Sequence, residues 1–201
     1  TFAKQEGFFD VVTYTGDAVV GREIPHNLGS TPGMVIVKCT DEAGRNWITY
    51  HKSLGPTKAV YLDLDSAAVT NPSLWNDTAP TDSHFTVRGN SNNNGAGKEY
   101  VAYVFADDAP MFGPDEDESI IKCGSFDGAN SQPLQTIELG WEPQYVLMKS
   151  ASATSPWTVL DSMRGWTGSG VGGNQPLRPN ESSVEINNDA SLGGLTSTGF
   201  Y

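Results

Sequence analysis

Cysteine is nearly absent from this sequence, with Cys39 and Cys123 the two examples in 201 residues. Two thiols so far apart do not make a disulfide framework, so assembly in a reducing compartment is expected, with no Cys39–Cys123 bridge. Long apolar runs are also missing. Nothing approaches the roughly 18 residues of a spanning helix, no charged-then-apolar leader opens the sequence, and membrane insertion is not expected. Basic residues are few, 12 against 24 acidic ones, and the formal charge of −12 opposes a nucleic-acid or anionic-membrane partner. Histidine is scarcer still, at three, and His26, His51 and His84 form no H-x-x-x-H or similar ligand spacing. Neither a metal nor a cofactor is therefore expected. A G-x-S-x-G nucleophile elbow is lacking as well, so no catalytic residue emerges and the chain does not read as an enzyme.

What is present is an internal repeat. Tyr14-Thr15-Gly16 is answered by Phe126-Asp127-Gly128, and Leu28-Gly29, Pro32 and Val35-Ile36-Val37-Lys38 by Leu139-Gly140, Pro143 and Val146-Leu147-Met148-Lys149. Trp47 is answered by Trp157, and the pair Leu62 and Phe85 by Leu177 and Phe200. The offset drifts around about 111 positions, as loop insertions between duplicated modules make it do. Thr1-Phe2-Ala3-Lys4 resembles Val104-Phe105-Ala106-Asp107, and the second copy stops at Phe200-Tyr201 before any counterpart of residues 98–105. A window on a longer polypeptide is the expectation.

Between Gly, Pro, Ser, Thr and Asn punctuation, the short runs at 8–15, 33–39, 47–51, 59–64, 84–88 and 99–106 have the length and β-branched or aromatic enrichment of strands. The second copy repeats them at 120–126, 144–149, 157–161 and 183–187. Alternation in 100–106 puts Val101, Tyr103 and Phe105 on one face, while Met34-Val35-Ile36-Val37 is apolar on both and belongs between sheets. The fold class is all-β, with tandem β-sandwich or jelly-roll-like modules related by internal duplication. Residues 1–7 end a preceding repeat, 8–106 form the first repeat, 107–118 an acidic linker, and 119–201 the second repeat without its last strand. The linker holds six acidic residues and two prolines, a composition that reads as solvated.

Each candidate motif has a plainer competitor. The run from Gly168 to Gly173 matches G-x-G-x-x-G in letters, but it lacks the strand before and helix after that a phosphate cradle needs, so it reads as an insertion loop. Asn90-Ser91-Asn92-Asn93-Asn94-Gly95 imitates half a calcium loop without its carboxylates, and Asn94-Gly95 reads better as a hairpin turn. Asp63 and Asp65 become Arg178 and Asn180 in the second copy, which argues against a catalytic carboxylate pair. His51 aligns with Asp161, each with a serine nearby, and a hydrogen-bonded sheet edge is the preferred account over a ligand contact.

Five tryptophans and seven tyrosines exceed what such modules need as filling. Trp47 and Trp157 are repeat-equivalent strand residues and read as core. Trp75, Trp141 and Trp166 lie in turn-rich segments without a matched Trp in the other copy. With Asn76, Asn92 and Asn94 they are the candidate binding residues, all but Trp141 in loops at 71–82, 90–97 and 165–175.

The succession Val11-Val12-Thr13-Tyr14-Thr15-Gly16, Ile24-Pro25-His26-Asn27-Leu28-Gly29, residues 32–38, residues 46–55, residues 75–80 and residues 100–106 resembles a repeat of uncharacterised bacteriophage structural proteins, particularly of marine and cyanobacterial phages. The resemblance covers nearly the whole chain and is weaker in the second copy. It implies a virion component such as a tail fibre or other exposed appendage, assembled in the host cytoplasm and contributing to host attachment. It further implies other virion proteins and a homotrimer as partners, and a host surface glycan as ligand. The alternatives are a carbohydrate-binding module and a polysaccharide depolymerase.

Overall fold

Residues with branched side chains on both faces, Val35 to Val37, dictate the centre of the fold. They lie in β3 (Pro32–Cys39), where every position from Val35 to Val37 is buried. The computed structural model describes residues 4–128, 135–167, 174–182 and 193–201. It is all-β, and its one α-helix among the described residues is a single four-residue turn. The chain divides into two compact units, the first made of residues up to Leu62 and Ala67–Gly124, the second of Asp63–Ser66 and Ser125–Tyr201.

In the first unit β1 (Phe9–Thr15), β8 (Glu99–Ala106), β3, β4 (Ile48–His51), β5 (Lys58–Tyr61) and β6 (Val69–Thr70) form one sheet, in that spatial order and antiparallel throughout. A second sheet pairs β2 (Arg22–Pro25) with β7 (His84–Val87). Ile24, Phe85 and Val87 of the small sheet meet Tyr14, Val35, Val37, Tyr100, Ala102 and Val104 of the large one in a single core. The helical turn α1 (Pro72–Trp75) adds Leu74 and Trp75 to it. Asn71 caps α1 by accepting from the Ser73 N–H at 3.2 Å, Pro72 supplies the preset φ of a first helical turn, and Asn76 ends it in the left-handed region at φ 54°.

Asp10 anchors the entry to this unit. Its carboxylate is buried, accepts from the backbone N–H groups of Val11 and Asn27 at 2.8 Å each, and pairs with the Lys4 ammonium at 2.8 Å. His26, also buried, accepts at Nδ1 from the Leu28 N–H and meets the Thr81 carbonyl through Nε2. Burial holds its pKa below the ordinary value, so the ring is neutral with its proton on Nε2.

The second unit contains β9 (Ile137–Glu138), β10 (Tyr145–Met148), β11 (Thr158–Asp161), a 3₁₀ turn at Ser162–Arg164, β12 (Leu195–Thr196) and β13 (Gly199–Phe200). β10 pairs with β11, and a small sheet runs β12-β13-β9. Leu160, Trp166, Leu195 and Phe200 form its core, with Ile137, Leu139, Val146 and Met148 packed against them.

Two strand pairs recur in matching register in the two units. Val35, Ile36 and Val37 face Tyr50, Thr49 and Ile48, and their sequence counterparts Val146, Leu147 and Met148 face Leu160, Val159 and Thr158. Lys52 N–H donates to the Gly33 carbonyl, as Ser162 N–H donates to that of Gln144. Ile24 faces Phe85 as Ile137 faces Phe200. Tyr14 meets Phe85 edge-on at 6.4 Å and 66°, and Phe126 meets Phe200 edge-on at 6.0 Å and 79°.

Two expectations come out differently. Residues 120–126 are not a strand, because the strand they would copy, β1, takes its ladder from β8. The acidic segment 107–118 is exposed over most of its length but structured: Phe112 and Glu118 exchange backbone hydrogen bonds, Asp107 pairs with Lys52, and its Oδ1 accepts from the Cys123 N–H. The strand expected at 183–187 and the Gly168 to Gly173 run lie outside the described residues.

Candidate binding surface

Alternation along β8 sends Tyr100, Ala102, Val104 and Ala106 into the core and leaves Val101, Tyr103 and Phe105 half-buried on the opposite face. Because β8 runs between β1 and β3, the same face collects Phe9, opposite Phe105, and Met34 and Ile36, opposite Phe105 and Tyr103. The rings lie in a row. Phe9 packs on Phe105 at 4.9 Å and stacks on Tyr103 at 6.3 Å, and Tyr103 stacks on Trp47 at 6.2 Å with 17° between planes. Phe8 extends the row at 6.4 Å from Phe9 and is 36% exposed. The Lys38 ammonium sits 5.7 Å above the Trp47 ring and bonds the Arg45 carbonyl.

Cross-strand aromatic contacts of this kind stabilise by about 0.5–1.5 kcal/mol each. They also fix ring planes before any ligand arrives. A rigid row of half-exposed rings ended by a cation is suited to stacking on the apolar faces of sugars or to anchoring a protein partner. Trp47, expected in the core, belongs instead to this outer face. Its counterpart Trp157 is buried. The signal for the surface was the alternation of β8, in which Ala102, Val104 and Ala106 take the inner face and Tyr103 and Phe105 the outer one.

The loop residues singled out from the sequence fare differently. Trp75 and Trp166 are each 1% exposed, so neither presents a ring to a ligand. Trp75 meets Tyr50 edge-on at 5.8 Å because α1 turns it inward, and Trp166 meets Phe200 edge-on at the same distance. Asn94 is buried and fully engaged: its Oδ1 accepts from the Asp17 N–H and the Arg22 guanidinium, while Nδ2 donates to Asp17 and to the Val19 carbonyl. Asn92 is half-buried and accepts from the Asn46 N–H. Both asparagines stitch the 90–97 loop to its neighbours and do not line a site. In that loop the positive φ falls on Gly97, at 69°, and not on Asn94 or Gly95. Asn76 is the half-buried cap of α1, and Trp141 is half-buried in the turn between β9 and β10. Trp75, Asn76, Asn92 and Asn94 belong to the first unit, and Trp141 and Trp166 to the second.

His51 and Asp161 end their strands at matching ladder positions and do matching work. His51 Nδ1 accepts from the Ser53 N–H at 3.2 Å, and Asp161 Oδ1 accepts from the Arg164 N–H at 2.9 Å. The Arg164 guanidinium beside Asp161 holds its carboxyl below the ordinary value. Both are turn caps.

Both cysteines are free. Burial, with the Asp107 carboxylate, pushes the Cys123 thiol up to about 12, so it stays protonated and unreactive at neutral pH. Among the described residues no group of three or more His, Cys, Asp or Glu is placed to hold a metal ion. Among the same residues no helix is long and apolar enough to cross a membrane.

The chain matches the family described as a domain of unknown function (DUF7483) over residues 2–201. It belongs to that family. The match runs through both units. No curated protein and no solved structure matches the chain.

Proposed function

We propose that this DUF7483 domain is a structural module of a bacteriophage virion, part of a tail fibre or other exposed appendage, built from tandem β-sandwich repeats and contributing to host attachment. The observation that carries the reading is the recurrence of one hairpin in one register, Val35 opposite Tyr50 and Val146 opposite Leu160, within an all-β chain. Repeated modules that each bury their own core suit an elongated particle component. In this reading the chain assembles in the host cytoplasm, where two free thiols persist, and its partners are other virion proteins and two further copies of itself. Trimerisation multiplies weak sites into a firm attachment.

The aromatic row favours a second reading on the same residues, a carbohydrate-binding surface for host polysaccharide centred on Trp47 and Tyr103. Purified protein is to be tested for association with intact virions, by antibody labelling and imaging, and with host cells. Association with neither overturns the appendage reading. Saturable binding on a glycan array, without release of reducing ends from host polysaccharide, separates a binding module from a depolymerase.

A further inference from the structure

Among the described residues, the hairpin β10–β11 has one edge paired and one edge bare. Its hydrogen-bond phase is set by two contacts. Ser162 N–H donates to the Gln144 carbonyl, and Val159 exchanges both backbone bonds with Leu177 on the far side of β11. In an antiparallel ladder bonded and non-bonded pairs alternate. With Val159 turned to Leu177, its partner Leu147 turns its N–H and C=O away from β11, and so does Tyr145 two residues earlier. Among the described residues nothing bonds to these groups.

The first unit shows what occupies the corresponding edge. Thr49 turns to Val60 of β5, so Ile36 and Met34 turn to β8, where they face Tyr103 and Phe105. β8 also delivers Tyr100, Ala102, Val104 and Ala106 to the core, and beside it Val35 and Val37 are 0% exposed. In the second unit the counterparts Val146 and Met148 are only half-buried, and Tyr145 at the edge is 58% exposed.

We propose that the bare edge of β10 is an acceptor for one incoming extended strand with the alternation of β8, small or branched side chains towards the core and larger ones outward. The strand runs antiparallel to β10 and takes its backbone bonds at Tyr145 and Leu147, as β8 takes them at Met34 and Ile36. Such strand addition gains affinity from main-chain bonds and specificity from the alternate side chains. The donor is not the chain's own β8, which is held between β1 and β3. This inference rests on pairing geometry and is independent of the appendage reading, whose test is virion association.

The probe is a labelled synthetic peptide of residues 99–107, with a scrambled peptide as control. The expected result is saturable binding of the native-order peptide alone, with slowed hydrogen exchange at the Tyr145 and Leu147 amides. Leu147→Pro removes an edge-facing N–H and leaves the bonds to β11 in place, so it weakens binding by at least about tenfold. Tyr145→Pro serves as the second variant. Unchanged protection of the Val146 and Met148 amides in each variant shows that the hairpin has stayed intact. Three outcomes overturn the proposal: equal binding of the scrambled peptide, Tyr145 and Leu147 amides already protected in the free monomer, or protection that grows with protein concentration and so reports self-pairing of two copies.

Discussion

Tyr14 donates its buried hydroxyl to the carbonyl of Asn93 at 2.6 Å, tying strand β1 to a loop far along the chain. The ring also stacks on Tyr100 at 5.2 Å, and the Tyr100 hydroxyl in turn donates to Ser91 and accepts from the Gly95 N–H. Two phenols thus hold one loop, and both are pushed up in pKa, first by burial. Tyr14→Phe keeps the packing and strands the Asn93 carbonyl. It should cost about 1–2 kcal/mol in urea unfolding, and an unchanged midpoint would show the bond to be idle.

Gly16 and Gly128 occupy equivalent places in the sequence repeat but not in space. A Cβ on Gly16 would lie 2.2 Å from the Gly95 carbonyl oxygen, whereas one on Gly128 would meet nothing within 4 Å. Gly16→Ala should therefore destabilise the chain by several kcal/mol, on the order of an overpacked core site, while Gly128→Ala should stay within about 0.5 kcal/mol of the parent. Equal melting temperatures for the two variants would contradict this asymmetry.

The difference between those glycines shows where sequence reasoning reached its limit. β8 was legible to both ends because strict alternation encodes a strand locally, and β3 because Met34 to Val37 are apolar on both faces. β2 was not, since only Ile24 of Arg22–Pro25 is buried and the strand exists through its pairing with β7. Residues 120–126 carry strand-like composition without the neighbour that would make them one. Trp75 looked like a loop aromatic because Pro72 and Asn76 signal turns, and the single helical turn they bracket is what carries it inward. Asn94 signalled a hairpin, while its side chain serves contacts to Asp17, Val19 and Arg22 that no local pattern reveals.

Asp10 predicts an acid limit to stability. Burial by itself would raise its carboxyl, but the Lys4 ammonium and the N–H groups of Asn27 and Val11 outweigh that and hold it below the ordinary value of 3.8. A depressed folded pKa stabilises above the unfolded pKa, and that contribution fades as pH falls from there through the folded value. Asp10→Asn should lower stability at pH 7 by about 1–3 kcal/mol and flatten the stability profile below about pH 4. A variant whose profile keeps the parent's acid slope would place the titration on another carboxylate.

Trp75 and Trp47 separate folding from attachment most cleanly. Trp75 is enclosed in the first core against Tyr50, so Trp75→Ala should cost about 3–5 kcal/mol and lower the thermal midpoint sharply. Trp47 is half-buried on the outer face, where it stacks on Tyr103 and lies under the Lys38 ammonium, so Trp47→Ala should cost about 1 kcal/mol. If the aromatic face carries attachment, the milder variant is the one that loses it: Trp47→Ala should weaken adsorption to host cells several-fold while the protein stays folded. Tyr103→Ala, on β8 with β3 between it and β4, should weaken adsorption in the same way. Full adsorption by both folded variants would move the binding chemistry off this sheet and onto the second unit, where half-buried Trp141 is the next ring to test.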